Sequence, residues 1–154
     1  MVKTLAATDN SPAQLLIRLA LGVVIFPHGA QKVFGWFGGP GYGATVTAFS
    51  ALGFPLWAIL LLMVTEAGGS LLLVLGVFTR IWALAIGAAI AICLKMNHLQ
   101  YGFFMNWLGQ QQGEGYEYHI LILGIALALV FRGGGMLSLD RVLARDRRRG
   151  GIVL

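Results

Sequence analysis

The stretch RLALGVVIFPHGAQK, residues 18–32, decides the fold. It is too apolar for a surface helix, yet it carries Arg18, His28 and Lys32. At about 100° per residue, Arg18, Gly22, Ile25, Gly29 and Lys32 fall on one stripe, with His28 beside it. That pattern predicts a membrane helix with one polarised face. Basic groups along such a face are costly unless something opposes them. The obvious partner is Glu66, the only acidic residue in the next long apolar stretch. The pattern therefore predicts a buried cluster of Arg18, His28 and Lys32 with Glu66 between the first two helices.

Composition sets the class. A chain of 154 residues points to one domain over 1–154. With 58% hydrophobic and 11% charged residues, and a mean hydropathy of +0.80, it has too little polar surface for a soluble domain. The expectation is an all-α integral membrane protein. The net charge of +5 is concentrated in a tail holding Arg141, Arg145, Arg147, Arg148 and Arg149. In a membrane protein that run is better read as a topology anchor than as a nucleic-acid surface. Cys93 is the single cysteine, so dithiol redox chemistry by this chain alone is excluded. The sequence has no Walker loop, GxGxxG or CxxCH, and His28, His98 and His119 form no HxxH or HxxxH. No intrinsic cofactor and no metal site is expected.

Outward from the first stretch, four spans are predicted at about 13–34, 55–78, 81–98 and 116–131, with a basic tail over 132–154. Ser11-Pro12 starts the first span, and Pro27 should kink it just before His28. Residues 35–54 form a Gly-rich aromatic connection with a short half-buried helix around 44–52. In the second span Leu62, Gly69, Ser70 and Leu73 share the Glu66 face, allowing close helix approach. Thr79-Arg80 reads as a minimal hairpin. Residues 99–115 make a second aromatic loop. The fourth span is the weakest, since sixteen residues rise only about 24 Å. Beyond Arg132 a GGG run breaks the helix. Ser138-Leu139-Asp140 then opens a short basic amphipathic helix, with Leu137, Val142 and Leu143 as membrane contacts. Both long loops lack Lys and Arg, whereas Lys3, Arg80, Arg132 and the tail share the other side. A four-helix bundle with both termini cytoplasmic follows.

Glu66 lies close to the midplane of its helix, where a carboxyl is either paired or protonated, and so it is a candidate proton-handling group. His28 and Lys32, about 40° apart on the wheel, are placed to bind an anionic or quinone-like oxygen. The plainer readings are a satisfied histidine, a snorkelling lysine and an Arg18 anchored at the headgroups. Lys95 and His98 repeat the geometry at the end of the third span. Glu117 and His119 are about 160° apart on a regular helix, so at most one faces the bundle. Glu117, which shares a face with Leu121, Gly124 and Ala128, is the expected one.

Taken together, RLALGVVIFPHGAQKVFG, VTEAGGSLLLVLGVFTR and the terminal GGGMLSLD resemble the DoxX family of small four-helix bacterial membrane proteins, over roughly residues 14–141. The resemblance implies a multi-pass protein of the bacterial plasma (inner) membrane with a link to quinone redox chemistry. Relatives look like subunits of thiosulfate:quinone oxidoreductase or of a terminal-oxidase system, or like partners of thiol and superoxide-defence enzymes. Arg18, His28, Lys32 and Glu66 stand at positions matching the family pattern. The implied role is a quinone-interacting subunit or accessory of a membrane redox complex. A Gly-lined, aromatic-rimmed pocket between the first two helices would take a quinone head group, with Glu66 and His28 as catalytic groups and Lys32 and Arg18 as further contacts. Implied partners are the lipid bilayer, other redox subunits or further copies of the chain. Family members often carry Gly-Pro-Gly where this chain has Gly133-Gly134-Gly135, which suggests a looser turn here. Two alternatives remain: a non-enzymatic scaffold docking a partner enzyme, and a small-solute carrier. Against a carrier, four spans without an internal repeat provide little machinery for alternating access.

Overall fold

Helical periodicity runs through most of the chain, and the computed structural model, which describes residues 6–149 with side chains to residue 144, contains helices and no strand among those residues. The first, α1 (Pro12–Phe34), begins where Pro12 has no amide to leave unpaired, and ends where Gly35 turns left-handed at φ 72°. Ser11 makes no side-chain cap; its carbonyl accepts instead from the Met136 amide at 3.1 Å. Pro27 lies within α1, which continues past it as one helix. Arg18, Gly22, Ile25 and Gly29 are buried as their spacing requires, while His28 faces outward.

After a tight turn at Trp36–Gly38 comes α2 (Gly41–Ala51), starting a few residues before the expected position, with Thr45 its one buried residue. Next, α3 (Leu56–Leu75) carries a π-helical turn over Val64–Gly69. It stops at Gly76, φ 69°, where the Gly76 and Val77 amides return to the carbonyls of Leu73 and Leu72 at 2.9 Å each. This pairing satisfies carbonyls that the helix end would leave open. The fourth element, α4 (Thr79–Tyr101), is regular through Cys93, π-helical over Leu94–His98, and tighter at Leu99–Tyr101. Then come α5 (Glu117–Arg132) and α6 (Leu139–Arg149).

One expected turn moves. Thr79 and Arg80 form the first turn of α4 rather than a hairpin. The Asp140 carboxylate accepts the amides of Phe78 at 2.7 Å and Thr79 at 2.8 Å, capping α4 and holding Phe78 left-handed at φ 49°. A bulky residue holds that conformation only when its surroundings enforce it.

The helices α1, α3, α4 and α5 close a ring: α1 packs on α3 and α5, and α4 packs on the same two. The core inside the ring is Leu21 and Ile25 from α1, Leu73 from α3, Ala83 and Ile86 from α4, and Ile122, Ala126 and Leu129 from α5. Three of the four, α1, α3 and α4, are long and apolar enough to cross a membrane. With 16 residues, α5 rises about 24 Å, short of a hydrocarbon core of about 30 Å. On the tail, Leu137, Val142 and Leu143 are exposed, as the amphipathic pattern predicts. The side chains of Arg145 and the arginines beyond it lie outside the described residues.

The run after α5 is not loose. Gly133, Gly134 and Gly135 are all buried, and an added Cβ at Gly133 would lie 2.7 Å from the Ala7 carbonyl oxygen. Gly135 donates to the Thr8 hydroxyl at 2.7 Å, so the two chain ends clasp each other. Without side chains, these glycines let the backbone come close enough to be bonded by its neighbours.

Candidate functional site

The four residues expected to cluster divide into separate places. Arg18 is buried, 1% exposed, at the end of the ring nearest the chain termini. Its Nε donates to the Gly134 carbonyl at 3.0 Å and its Nη1 to those of Leu73, at 3.1 Å, and Val74. Its Nη2 donates to Met136 and Leu137 carbonyls at 3.4 Å each. A planar guanidinium with five N–H groups suits such convergent carbonyls. The negative C-terminal pole of α3 adds a favourable charge interaction. Arg18 does not reach Glu66, because the carbonyls it binds lie about two turns further along α3. It is a structural cap, neither a headgroup anchor nor a member of the carboxylate cluster.

Lys32 does reach Glu66. Its Nζ donates to Oε2 at 2.6 Å and to the His28 carbonyl at 3.3 Å. The two side chains are 20% and 11% exposed, which places the pair at the edge of the bundle rather than on its surface. Thr45, from α2, donates to the Lys32 carbonyl at 3.3 Å and to that of Gly41 at 2.7 Å, tying α2 over this end of α1. Glu66 lies within the π turn of α3. The Ser70 hydroxyl donates to the Glu66 carbonyl, and at 3.0 Å to that of Ala67. A π turn interrupts the regular i→i−4 ladder, and the hydroxyl supplies one donor, shared between the two carbonyls, where the ladder changes.

The imidazole of His28 does not join this pair: it is exposed, and only its backbone carbonyl takes part. The glycines of α1 do not line a gap either. A Cβ on Gly29 would lie 2.2 Å from the Ala67 nitrogen and 2.4 Å from the Glu66 carbonyl carbon. A Cβ on Gly22 would meet the Val74 side chain at 2.5 Å. These glycines bring α1 directly onto α3, so the space expected for a head group between the helices is filled by backbone. Any ligand of the Lys32–Glu66 pair must therefore approach it from the bundle edge.

On α5 the expected orientation is reversed. His119 is buried, 6% exposed, on the stripe continued by Ile122, Ala126 and Leu129. Glu117 instead faces the second loop, where its Oε1 accepts from the Met105 amide at 3.2 Å and the Trp107 indole at 3.3 Å. A carboxylate in the first turn of a helix is also favoured by the dipole. Leu121 and Gly124, expected inside with Glu117, are exposed.

The His119 ring stacks at a tilt on His98, with centroids 4.1 Å apart. Cys93 is close by: one ligand atom from each of Cys93, His98 and His119 lies within 4.8 Å of the other two. On a regular α-helix Cys93 and His98 would be about 140° apart. The π turn over Leu94–His98 brings them to one side of α4. Lys95, paired with His98 in the sequence pattern, is exposed.

Comparison with known proteins converges on one family. The DoxX family profile matches residues 13–98, more than half of the chain. The chain is 29% identical over 143 residues to the Bacillus subtilis (strain 168) protein named "Putative oxidoreductase CatD". That alignment covers 90% of this chain and 92% of the relative. No solved structure matches the chain. The matched span carries the polarised stripe of α1, the Glu66 turn of α3 and all of α4 up to His98, and by that match the chain belongs to the DoxX family.

Proposed function

We propose that this chain is the membrane subunit of a quinone-linked redox complex in a bacterial plasma membrane, with Lys32 and Glu66 as its proton-handling pair. One observation carries the reading. Arg18 and Asp140, the other deeply buried charges, are engaged by backbone partners. Glu66 is held by one ammonium, on a π turn in the middle of an apolar helix. A carboxylate so placed can exchange a proton by a small movement, whereas a saturated cap cannot. The relative named an oxidoreductase supports the redox half of the proposal.

Quinone reduction consumes two electrons and two protons, the electrons coming here from a partner subunit. Lys32 would hold a head-group oxygen and favour its developing negative charge. Glu66, after taking up a proton from water at the bundle edge, would deliver it to that oxygen, and the second quinone oxygen would take its proton from water. His28, exposed one turn before Lys32, offers a second donor to a head group arriving from the bilayer side. In the accompanying topology α5 forms a fourth span, both termini lie in the cytoplasm, and the loops at 35–54 and 99–115 face outward.

Binding of a quinone analogue to the protein in nanodiscs, with and without its co-purifying partners, tests the reading. Lys32→Ala should weaken binding by about tenfold or more, the worth of a lost charged hydrogen bond. Glu66→Gln should retain binding and slow turnover. If the wild type shows no saturable binding even with its partners, the scaffold reading takes its place. Reporters fused after Gly41 and Gly113 should be active only outside the cytoplasm, and the reverse would overturn the topology.

A further inference from the structure

We propose that Cys93, His98 and His119 form a binding site for a single borderline-soft transition-metal ion, of the zinc or copper class. The site is separate from the Lys32–Glu66 pair and does not depend on the role given to it. One thiol and two imidazoles form the donor set that such ions prefer over the hard cations magnesium and calcium.

Geometry makes the first part of the case. A tetrahedral ion with metal–nitrogen bonds of about 2.0–2.1 Å and a metal–sulfur bond of about 2.3 Å keeps its ligand atoms roughly 3.3–3.6 Å apart. The three ligand atoms here already lie within 4.8 Å of one another. Small side-chain rotations of the kind a bound ion induces close that difference.

The surroundings of each ligand make the second part. His98 Nδ1 lies 2.9 Å from the Glu114 carbonyl oxygen. A carbonyl only accepts, so Nδ1 carries the proton and Nε2 keeps its lone pair free. A ring nitrogen anchored to a backbone carbonyl, with the other free, is the usual outer-shell arrangement of a metal-ligating histidine. His119 supplies an independent observation: it is 6% exposed, and its Nδ1 is buried without a hydrogen-bond partner. A buried imidazole nitrogen left unpaired costs free energy that a ligand would recover. The Cys93 Sγ accepts only a long contact, 3.9 Å, from the Asn97 amide.

Elements bring these residues together for an evident reason. His119 stands at the loop end of α5, against the end of α4 where the π turn carries Cys93 and His98 to one side. The loop through Glu114 closes over His98. π turns are a common device for re-aiming functional side chains within a helix. Three protein ligands leave a fourth position for a water molecule or another small ligand, as in open rather than purely structural sites.

The test uses the full chain in detergent, stripped of metal and with any affinity tag removed. Cobalt(II) titration should give about one equivalent bound, with a sulfur-to-cobalt charge-transfer absorption, and zinc should displace it. Cys93→Ser should abolish that absorption. His98→Asn and His119→Asn should each weaken zinc binding by on the order of 100-fold by calorimetry. Zinc should raise the thermal midpoint of the wild type but not of Cys93→Ser, a nearly isosteric change at a half-buried position that keeps the test valid if His119→Asn fails to fold. A wild type that shows no thiolate–cobalt absorption, or binds zinc no more tightly than Cys93→Ser, would overturn the site.

Discussion

Arg18 shows how a buried cation is kept by backbone carbonyls, without a hydrogen bond to a carboxylate. Its guanidinium bonds carbonyls from α3 and from the 134–137 run, and Asp140, four residues after Met136, bonds the amides that open α4. Each charge completes a helix terminus that would otherwise expose unpaired backbone. Arg18→Leu should therefore lower stability by roughly 2–4 kcal/mol, as several buried acceptors lose their donor. Asp140→Asn, which keeps one acceptor, should cost about 1–2 kcal/mol. Denaturant unfolding in mild detergent measures both, and unchanged midpoints would mean that water replaces these bonds. Much of this was legible in the residues: helical spacing gives the buried stripe of Arg18, Gly22, Ile25 and Gly29, and Glu66, the only acid of the next apolar stretch, was the partner expected for the three cations, of which Lys32 alone reaches it. The engagement of Arg18 was not legible, since its partners are backbone carbonyls without a side-chain signature, two at the end of α3 and three in a segment more than a hundred residues away. Asp140 was hidden for the same reason, looking from sequence like an ordinary first-turn acid of the tail helix.

Among the helices, close approach is concentrated where α1 crosses α3. Gly29 rests on the backbone of Glu66 and Ala67, which cannot move aside, whereas Gly22 rests partly on the Val74 side chain, which can rotate. Gly29→Ala should cost more than Gly22→Ala, with roughly 1–3 kcal/mol expected for overpacking. Gly124, on the outer face of α5 with nothing near its added Cβ, gives the opposite expectation. Gly124→Ala should stabilise by up to about 1 kcal/mol, because it removes a flexible residue from a helix interior. Thermal midpoints of the three variants rank them, and equal losses at all three would contradict the packing. Regular wheel geometry also explains where sequence reading failed. Applied to α5 it chose the Glu117 face, because it could not see that the loop offers Glu117 two donors. On α4 it paired His98 with Lys95 and left Cys93 aside, because a π turn, which brings Cys93 and His98 to one side, leaves no mark in the order of residues.

Taken whole, the molecule has one end bonded tightly and another built of loops. At the tight end Thr8, Ser11, Arg18, Gly76, the 133–135 glycines and Asp140 interlock, and Arg80 adds bonds to the carbonyls of Val130 at 2.7 Å and Ala7 at 2.9 Å. A chain ending at Leu137 should lose stability by roughly 2–4 kcal/mol, and its amides at Phe78 to Arg80 should exchange hydrogen much faster. A chain ending at Ala144 keeps Asp140 and should behave like the full chain; if it loses as much as the shorter one, the arginine-rich end rather than the cap is responsible. The bond between Arg18 and Gly134 has a further consequence, in time rather than energy. Its partners are 116 residues apart, so at about 5–20 residues per second the ribosome needs roughly 6–23 s to make the second after the first. About halfway through that interval α3 supplies the Leu73 and Val74 carbonyls, but the Gly134, Met136 and Leu137 acceptors do not yet exist, so part of the guanidinium must be sheltered by the insertion machinery or by water at the membrane surface. Synthesis interrupted before Gly134 leaves Arg18 with at most its two α3 acceptors and its Nε unpaired, so a quality-control protease reading that one side chain could tell an unfinished chain from a finished one.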